Sequence, residues 1–268
     1  MFFITNYNSR IFINKVTAEE NMKLSLIVPC YNEEEGINNL QNQLDPILEK
    51  LSKSWELELI FVDDGSKDNT YDLLQQHFGQ RKYTRILKHE VNQNLGAAMR
   101  TGFSTATGDV IVTMDSDCTY DPKEIFPMLD MLKDDISVVT ASPYHPLGGV
   151  ENVPKYRLFL SKSITLIYRI LTGSKIHTFT ALFRAQRKEA VKDVNFTSND
   201  FLATAELLIH ALTNGQKVVE YPTVLHVRVF GSSKIKLLKV IWSHTKFIPK
   251  VIKMRWNGSF SQNKLIQN

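Results

Sequence analysis

Residues 110–117 read Val-Ile-Val-Thr-Met-Asp-Ser-Asp, and this stretch decides how the rest of the chain is interpreted. Its first five residues are apolar or β-branched, which is typical of a buried strand. Asp115 and Asp117 follow directly, with one small residue between them. Like charges this close repel each other unless a cation lies between them. The stretch predicts a strand that ends in a metal site; the alternative is that both acids act as caps.

Further apolar runs of strand length occur on both sides of this stretch, and helical patterns separate most of them. All the strand patterns together lie at residues 24–29, 57–62, 110–114, 136–141 and 218–221. The helical patterns lie at residues 34–52, 70–78, 97–105 and 122–132. This alternation predicts an α/β fold with a mostly parallel sheet and helices on both faces. Because ligands bind beyond the carboxyl ends of such strands, the residues after each strand form the candidate site.

Two other strand ends carry side chains suited to a nucleotide. Residues 29–33 read Pro-Cys-Tyr-Asn-Glu, in which Tyr31 offers a flat ring for a nucleobase and Glu33 an acceptor for a ribose hydroxyl. Residues 63–66 read Asp-Asp-Gly-Ser, and a carboxylate there can accept a hydrogen bond from a base. Both motifs also fit a simple turn with acids at the start of a helix.

Length and composition limit the class of protein. A chain of 268 residues with 43% hydrophobic content is long enough for one large α/β domain. The net charge of +4 is too small to indicate nucleic acid as the main partner. Cys30 and Cys118 are the only cysteines and lie in the candidate site segments, so we expect a reducing, cytoplasmic location. No apolar run of about 18 residues or more predicts a membrane span.

Three segments are expected along the chain. Residues 1–21 read as a leader without signal-peptide features, and Met22 is an alternative start. Residues 22–234 form the α/β domain, in which the Pro- and Gly-rich residues 142–154 predict a long loop without helix or strand.

The third segment, residues 235–268, is basic and amphipathic. From Lys234 to Arg255 there are seven Lys or Arg and no acid. Such a segment is able to lie on an anionic membrane surface or to pack as a helix on its own domain. Residues 157–171 leave the same two interpretations open.

In this order and spacing the motifs resemble the family 2 glycosyltransferases, which have the GT-A fold, and most closely the dolichyl- or polyprenyl-phosphate sugar transferases of mannosyl type. The resemblance covers residues 22–234. It rests on Leu-Ile-Val-Pro-Cys-Tyr-Asn-Glu at 26–33, Val-Asp-Asp-Gly-Ser at 62–66, Asn-Leu-Gly-Ala-Ala at 94–98, Met-Asp-Ser-Asp at 114–117 and Arg-Val-Phe-Gly-Ser-Ser-Lys at 228–234. It implies an inverting, metal-dependent transfer of a sugar from a GDP- or UDP-linked donor to a polyprenyl or dolichyl phosphate.

The resemblance also assigns roles to single residues. The residues expected to hold the donor nucleotide are Pro29, Tyr31, Glu33, Val62, Asp64 and Ser116. Asp115 and Asp117 are expected to bind Mg²⁺ or Mn²⁺, with Asp117 at the catalytic centre. Arg228 and Lys234 are the expected catalytic cations, closing over the phosphates. The expected partners are a nucleotide sugar, a polyprenyl-phosphate lipid and the cytoplasmic face of a membrane, with the protein peripheral, and no nucleic acid.

Two positions depart from the family pattern. Thr119, a weaker ligand for a hard metal, stands where many relatives carry an amide or an acid. Pro143 stands where the lipid-phosphate enzymes often carry an arginine. The nearby candidates to replace that arginine are Lys155, Arg157 and Arg184.

Two alternative functions stay open at this point. One is transfer to a glycan or soluble hydroxyl, which needs a general base such as Asp200. Asp200 equally fits the cap of a helix predicted at residues 201–212. The other alternative is an inactive nucleotide-sugar-binding scaffold, suggested by the two departures.

Overall fold

The computed structural model describes residues 22–133, 135–192, 196–231, 237–258 and 260. The expected leader at 1–21, the expected catalytic Lys234 and residues 261–268 lie outside the described residues.

A seven-stranded sheet forms the centre of the fold. The strands of the chain are β1 (Lys23–Cys30), β2 (Glu56–Asp63), β3 (Thr84–Lys88), β4 (Val110–Thr113), β5 (Ile136–Ser142), β6 (Gly149–Val150), β7 (Arg184–Arg187), β8 (Lys217–Pro222) and β9 (Val224–Leu225). The order in the main sheet is β3-β2-β1-β4-β7-β5-β8, while β6 and β9 form a small second sheet. All neighbours in the main sheet are parallel except β7, which is antiparallel to β4 and β5.

Helices connect the strands and cover both faces of the sheet. They are α1 (Ile37–Leu51), α2 (Thr70–Phe78), α3 (Leu95–Thr105), α4 (Ile125–Met131), α5 (Lys155–Thr172), α6 (Lys188–Lys192), α7 (Leu202–Thr213) and α8 (Leu237–Trp256). A short 3₁₀ helix, Pro122–Glu124, precedes α4.

Strand residues alternate between the two faces, so each apolar strand supplies two cores. On β1, Leu24, Leu26 and Val28 pack in the same buried cluster as residues of α1, α2 and α4. Ile27 points the other way and packs with Ala98 of α3. The mostly apolar strands predicted from the sequence are therefore strands buried on both sides.

A further core lies beneath α5, α7 and α8. Tyr168 of α5 and Phe247 and Val251 of α8 are buried in it together with residues of α7. The Tyr168 hydroxyl lies 2.8 Å from Nδ1 of His244, so its buried polar atom has a partner.

The sequence predictions hold for most elements but miss β3, β6, β7, β9 and α6. The five predicted strands are confirmed, and each predicted helix overlaps an observed one. β3 and β7 were not predicted. The prediction that residues 142–154 contain no strand is wrong, because Gly149–Val150 pairs with Val224–Leu225. A strand of two residues is too short to show an alternating hydrophobic pattern. Its partner strand, Val224–Leu225, also lies far along the chain.

A buried carboxylate ties the segment before α7 to two helices. Glu206 of α7 is fully buried and accepts hydrogen bonds from the backbone N–H groups of Thr197, at 3.1 Å, and Ser198, at 2.9 Å. Lys250 of α8 lies 3.4 Å from its other oxygen. Burial alone raises the pKa of Glu206, but the nearby His210, 3.9 Å away, and the hydrogen bonds from Ser198 and Thr197 outweigh it and lower the pKa.

We expect Glu206→Ala to lower the free energy of unfolding by about 3 to 5 kcal/mol, because it leaves Lys250 and two backbone donors without their acceptor. The measurement is urea unfolding at pH 7. Since the pKa of Glu206 is lowered in the folded state, the loss should be complete at pH 7 and shrink as the pH falls below about 4. Glu189→Ala, on an exposed helix position, is the control and should change the free energy by less than about 0.5 kcal/mol. An equal effect of both variants would contradict the assignment.

Candidate active site

The carboxyl ends of β1, β2 and β4 meet at one edge of the sheet, because these strands are parallel neighbours. Cys30 and Asp63 are register partners at the ends of β1 and β2, and Thr113 ends β4. The three motifs singled out in the sequence therefore start from the same edge. This is the position at which parallel α/β sheets bind ligands.

Hydrogen bonds to side chains connect the loops that follow β1 and β2. Asn32 has a positive φ of 52°, which Asn tolerates better than most residues. Its backbone N–H donates to the Ser66 hydroxyl at 2.9 Å, and its side-chain oxygen accepts from the Lys67 N–H at 2.8 Å. The Glu33 N–H donates to the Thr70 hydroxyl at 2.7 Å. These contacts fix Glu33 at the sheet edge.

Three of the residues predicted to hold the nucleotide differ in how they reach this edge. Tyr31 is half-buried in the first loop. Pro29 and Val62 are register partners within β1 and β2, and both are buried. The Val62 side chain packs in the core cluster that contains Ala98 of α3, so its side chain has a packing role there.

Asp64 is held by a network that the sequence analysis missed. Its Oδ1 lies 2.7 Å from Nδ1 of His89 and accepts the Gln93 N–H at 2.9 Å. Its Oδ2 accepts from the Asn92 side chain at 2.9 Å. Because these partners follow β3, which lacks a clear strand pattern, no sequence signal marked them.

The Asp115 and Asp117 pair lies at the end of β4, as predicted, and its two carboxylates have different surroundings. Asp117 Oδ1 accepts from the Thr119 N–H at 3.1 Å and from the Thr119 hydroxyl at 3.0 Å. Thr119 therefore orients Asp117. Burial and the charges of Asp117 and Glu33 raise the pKa of Asp115 well above 3.8, and Arg228 only partly offsets them.

Arg228 joins the first and third motifs. Its Nε donates to Asp117 Oδ2 and its terminal nitrogen to Glu33 Oε1, each at 2.9 Å. The structure thus brings Arg228 to the predicted metal and ribose residues. A planar guanidinium group is able to donate hydrogen bonds to carboxylates and to phosphates in the same way.

Residues 224–231 form a strap that crosses the site. The strap begins with β9, and its His226 N–H donates to the Thr119 carbonyl at 2.9 Å. Near its other end the Gly231 N–H donates to Glu35 at 3.1 Å. A cleft of about 520 Å³ lies between this end and the first two loops, and Glu33 is in its wall.

The carboxylates fit a divalent cation by their chemistry. In the described part of the chain, no group of three or more His, Cys, Asp or Glu side chains is arranged to hold a metal ion. Asp115 and Asp117 nevertheless offer the oxygen donors that Mg²⁺ takes together with phosphate oxygens and water. Burial raises the pKa of Asp115, and the charges of Asp117 and Glu33 raise it further; a cation would relieve this repulsion.

Both cysteines lie at this edge as free thiols. Burial and the neighbouring charges of Glu33 and Asp63 raise the pKa of Cys30 far above its ordinary value, although a hydrogen bond with Ser116 opposes this. Burial, Asp117 and Asp115 raise the pKa of Cys118 to about 12. Thiols that stay protonated are poor nucleophiles.

Polar side chains also collect at the same edge on the far side of β4. The segment before β7 and the segment after β5 meet there, since Ser142 and Thr178 hydroxyls lie 2.9 Å apart. Lys162 of α5 lies 5.6 Å from the centre of the Tyr144 ring. In the strand order, β7 and β5 lie on the opposite side of β4 from β1 and β2, whose loops carry Tyr31 and Asp64.

Two candidates from the sequence are structural. Arg184 is fully buried, and it donates to the carbonyls of Phe179 and Thr204 and to the Thr140 hydroxyl. It is therefore unable to replace the arginine missing at Pro143. Asp200 caps the start of α7 through the Leu202 N–H, and its other oxygen accepts the Ser243 hydroxyl. The capping interpretation of Asp200 is confirmed.

The helices α5 and α8 leave large apolar side chains on the surface. The most exposed are Phe159, Leu166 and Ile170 on α5, and Leu238, Trp242 and Trp256 on α8. None of the described helices is long and apolar enough to span a bilayer.

Comparison with known proteins identifies the family. Residues 25–194 match the family model described as glycosyl transferase family 2. The chain is 32% identical over 243 residues to the dolichol-phosphate mannosyltransferase of Pyrococcus furiosus, covering 90% of this chain and 66% of that protein. It is 29% identical over 226 residues to the polyprenol monophosphomannose synthase of Mycolicibacterium smegmatis, covering 82% of this chain and 83% of that protein. The chain thus spans just under two thirds of the Pyrococcus relative.

A solved structure shows the same fold. The glucosyl-3-phosphoglycerate synthase of Mycobacterium tuberculosis, crystallised with Mn²⁺ and UDP-glucose, superposes with a TM-score of 0.64 at 18% identity. The match covers 88% of this chain and 80% of that one. The fold agrees with the family match: the sheet is mostly parallel, and the sequence motifs follow strands that end at one edge. The chain belongs to glycosyl transferase family 2 and has the GT-A fold.

Proposed function

We propose that the protein transfers a sugar from a nucleotide diphosphate sugar to a polyprenyl-type lipid phosphate, with inversion and with Mg²⁺ or Mn²⁺. The observation that carries this proposal is the bridge from Arg228 to Asp117 and Glu33. It brings together the three side chains to which we assign metal binding (Asp117), ribose binding (Glu33) and phosphate binding (Arg228). The names of the relatives, which describe dolichol-phosphate and polyprenol phosphomannose chemistry, support this acceptor class.

The donor would lie along the sheet edge from β2 towards β4. Tyr31 stacks on the base, Asp64 accepts from it, and Glu33 accepts from the ribose. Pro29 and Val62, whose side chains are buried, contribute through their backbone. Ser116 lies between the two metal carboxylates in sequence and lines the diphosphate.

Asp115 and Asp117 are the residues that would hold the metal ion. A bound divalent ion neutralises the charge that develops on the leaving diphosphate. The chain's own contribution is orientation, because Thr119 fixes one oxygen of Asp117 and Arg228 contacts the other. Arg228 and Lys234 then hold the phosphates, because cationic side chains form strong hydrogen bonds with phosphate oxygens.

A phosphate acceptor fits the chemistry of the site better than a hydroxyl does. A hydroxyl needs a general base, and both oxygens of Asp200 are engaged in structural hydrogen bonds. A phosphate monoester has its second pKa near about 6, so it is already an anionic nucleophile at neutral pH and requires cations that position it. Lys162 and the nearby Lys155 and Arg157 of α5 supply positive charge on the far side of β4.

A membrane-surface location agrees with the surface of α5 and α8. The buried face of α8 packs through Phe247 and Val251, while Leu238, Trp242 and Trp256 stay exposed. The packing interpretation holds for the buried face of α8, and the membrane interpretation is proposed for its exposed face. The proposal is that the exposed face enters the interface of the cytoplasmic membrane leaflet, where the lysines of α8 meet anionic lipid.

The metal prediction is tested together with the function. We expect the wild type to transfer sugar from a UDP- or GDP-sugar to polyprenyl phosphate only when Mg²⁺ or Mn²⁺ is present. Asp117→Ala should lower kcat about a hundredfold or more, equivalent to roughly 3 kcal/mol of lost charge stabilisation. Asp121→Ala is the control, since Asp121 caps the 3₁₀ helix four residues later and should stay within about threefold of wild type. Full activity in the presence of a chelator would refute the metal assignment.

The nucleoside prediction concerns Glu33. We expect Glu33→Ala to weaken UDP and GDP binding by roughly 1.5 to 3 kcal/mol without metal, because a hydrogen bond to a charged group is lost. The measurement is titration calorimetry. Glu49→Ala is the control, because Glu49 is exposed on α1 and its ion-pair partner is the exposed Lys53 on the surface. Unchanged affinity in Glu33→Ala would remove Glu33 from the ribose site.

The membrane prediction is tested with point variants, because truncation before α8 would also remove its buried residues. We expect Trp242→Ser and Trp256→Ser each to reduce co-sedimentation with phosphatidylglycerol vesicles about tenfold, since each exposed ring would lose roughly 1.5 kcal/mol or more of burial. Val91→Ser is the control, an exposed apolar residue beyond the opposite edge strand β3. Sedimentation of both tryptophan variants at the wild-type level would exclude this face as the membrane contact.

A further inference from the structure

Three N–H donors from the segment after β3 surround the Asp64 carboxylate. His89 Nδ1 lies 2.7 Å and the Gln93 N–H nitrogen 2.9 Å from Oδ1. The Asn92 side chain donates to Oδ2 at 2.9 Å and also lies 3.2 Å from the Asp64 carbonyl. Only 4% of the Asp64 side chain is exposed. Most hydrogen-bond acceptor positions of the Asp64 carboxylate are therefore already occupied by donors of the protein itself.

The backbone holds these donors close to Asp64. Gly65 has a positive φ of 68°, and a Cβ at this position would lie 2.5 Å from the Val91 carbonyl carbon and 2.6 Å from the Asn92 nitrogen. A glycine is thus required for the two segments to approach this closely. Because the contact is backbone to backbone, the donors are fixed relative to the carboxylate.

His89 is oriented from its other side as well. Its Nε2 lies 2.9 Å from the Thr101 hydroxyl of α3. The hydroxyl is able to donate to Nε2 while Nδ1–H donates to Asp64, which satisfies both ring nitrogens. Rotation of the ring would break two contacts, so His89 is a fixed donor to Oδ1.

A count of acceptor positions shows what remains for a ligand. An ionised carboxylate has about four lone-pair positions, two on each oxygen. His89 and Gln93 take both positions on Oδ1, and Asn92 takes one on Oδ2. One position on Oδ2 is left.

The nucleobases differ in what they offer to a carboxylate. Uracil presents one imide N–H between two carbonyl oxygens. Guanine presents two adjacent donors, a ring N–H and an amino group, which match both oxygens of a carboxylate. Cytosine presents an amino donor beside an unprotonated ring nitrogen. A base donor that finds no acceptor in a buried site costs about 1 to 3 kcal/mol of binding free energy. The number of free acceptor positions on Asp64 therefore determines which base binds more tightly.

We propose that Asp64, with His89, Asn92 and Gln93 holding three of its acceptor positions, takes a single hydrogen bond from the base of the donor nucleotide and so selects uracil over guanine. This inference rests on the proposed function, because it requires that the donor base lies against Asp64. His89 and Asn92 are positioning residues: they act on the base through Asp64.

The test is calorimetry with UDP, GDP and CDP in the presence of Mg²⁺, on the full chain. The wild type should bind UDP at least about tenfold more tightly than GDP or CDP, corresponding to about 1.4 kcal/mol. Tighter or equal binding of GDP would overturn the inference and leave the proposed function standing. Binding of none of the nucleotides would overturn both.

Two variants test the positioning role. His89→Phe keeps a ring but removes the donor to Oδ1, and Asn92→Leu keeps the size but removes the donor to Oδ2. His89→Phe should lower the ratio of UDP to GDP affinity about tenfold, because it opens a position on Oδ1 beside the one on Oδ2 and lets the two guanine donors pair with both oxygens. Asn92→Leu opens a position only on Oδ2 and leaves Oδ1 filled, so it should keep the ratio near the wild-type value. Glu90→Gln, the exposed residue between them, should also leave the ratio unchanged. A wild-type ratio in His89→Phe would show that the network only supports the loop and would overturn the inference, and the wild-type preference remains decisive if that variant does not fold.

Discussion

The arrangement of the site depends on one electrostatic conflict: three carboxylates from two separate loops lie close enough to repel one another. Asp115 feels the charges of both Asp117 and Glu33. Arg228 compensates part of this repulsion through its contacts to Asp117 and Glu33, residues 111 and 195 positions away in the chain. The same arginine thereby holds the strap over the sheet edge. The late segment of the chain is thus placed by the charges of the early motifs.

The fold could be predicted where strands are buried on both faces, because their apolar runs are unmistakable. β3 was missed since its residues Thr84–Lys88 are at most half-buried and alternate with exposed ones. β7 was missed for a different reason. Its Arg184 is buried in the sheet and stabilised by backbone carbonyls and a hydroxyl, so a polar sequence forms a core strand. Local hydrophobicity gives no warning of a charge whose partners come from three other segments.

The site was predictable only as far as one topological rule reaches. Parallel neighbouring strands bring their carboxyl ends together, which is why Glu33, Asp64 and Asp117 could be grouped from sequence. The contacts that tune these residues could not be found in this way. Thr119 was considered as a weak ligand, yet it orients Asp117. Asp200 was considered as a base, yet it caps α7 and contacts α8. In each case the role depends on a partner's position, which residue type alone does not specify.

Asp64 and Asp115 lie at the same edge of the sheet, and their different surroundings give the same type of side chain different roles. Asp64 has N–H donors on both oxygens, so its charge is met by fixed dipoles and it offers little to a cation. Burial raises the pKa of Asp115, and the charges of Asp117 and Glu33 raise it further. Dipoles therefore satisfy the β2 end of the edge, while at the β4 end Arg228 offsets only part of the negative charge. A nucleotide diphosphate bound with a divalent cation has the matching polarity, since its base is neutral and its cation lies at the diphosphate.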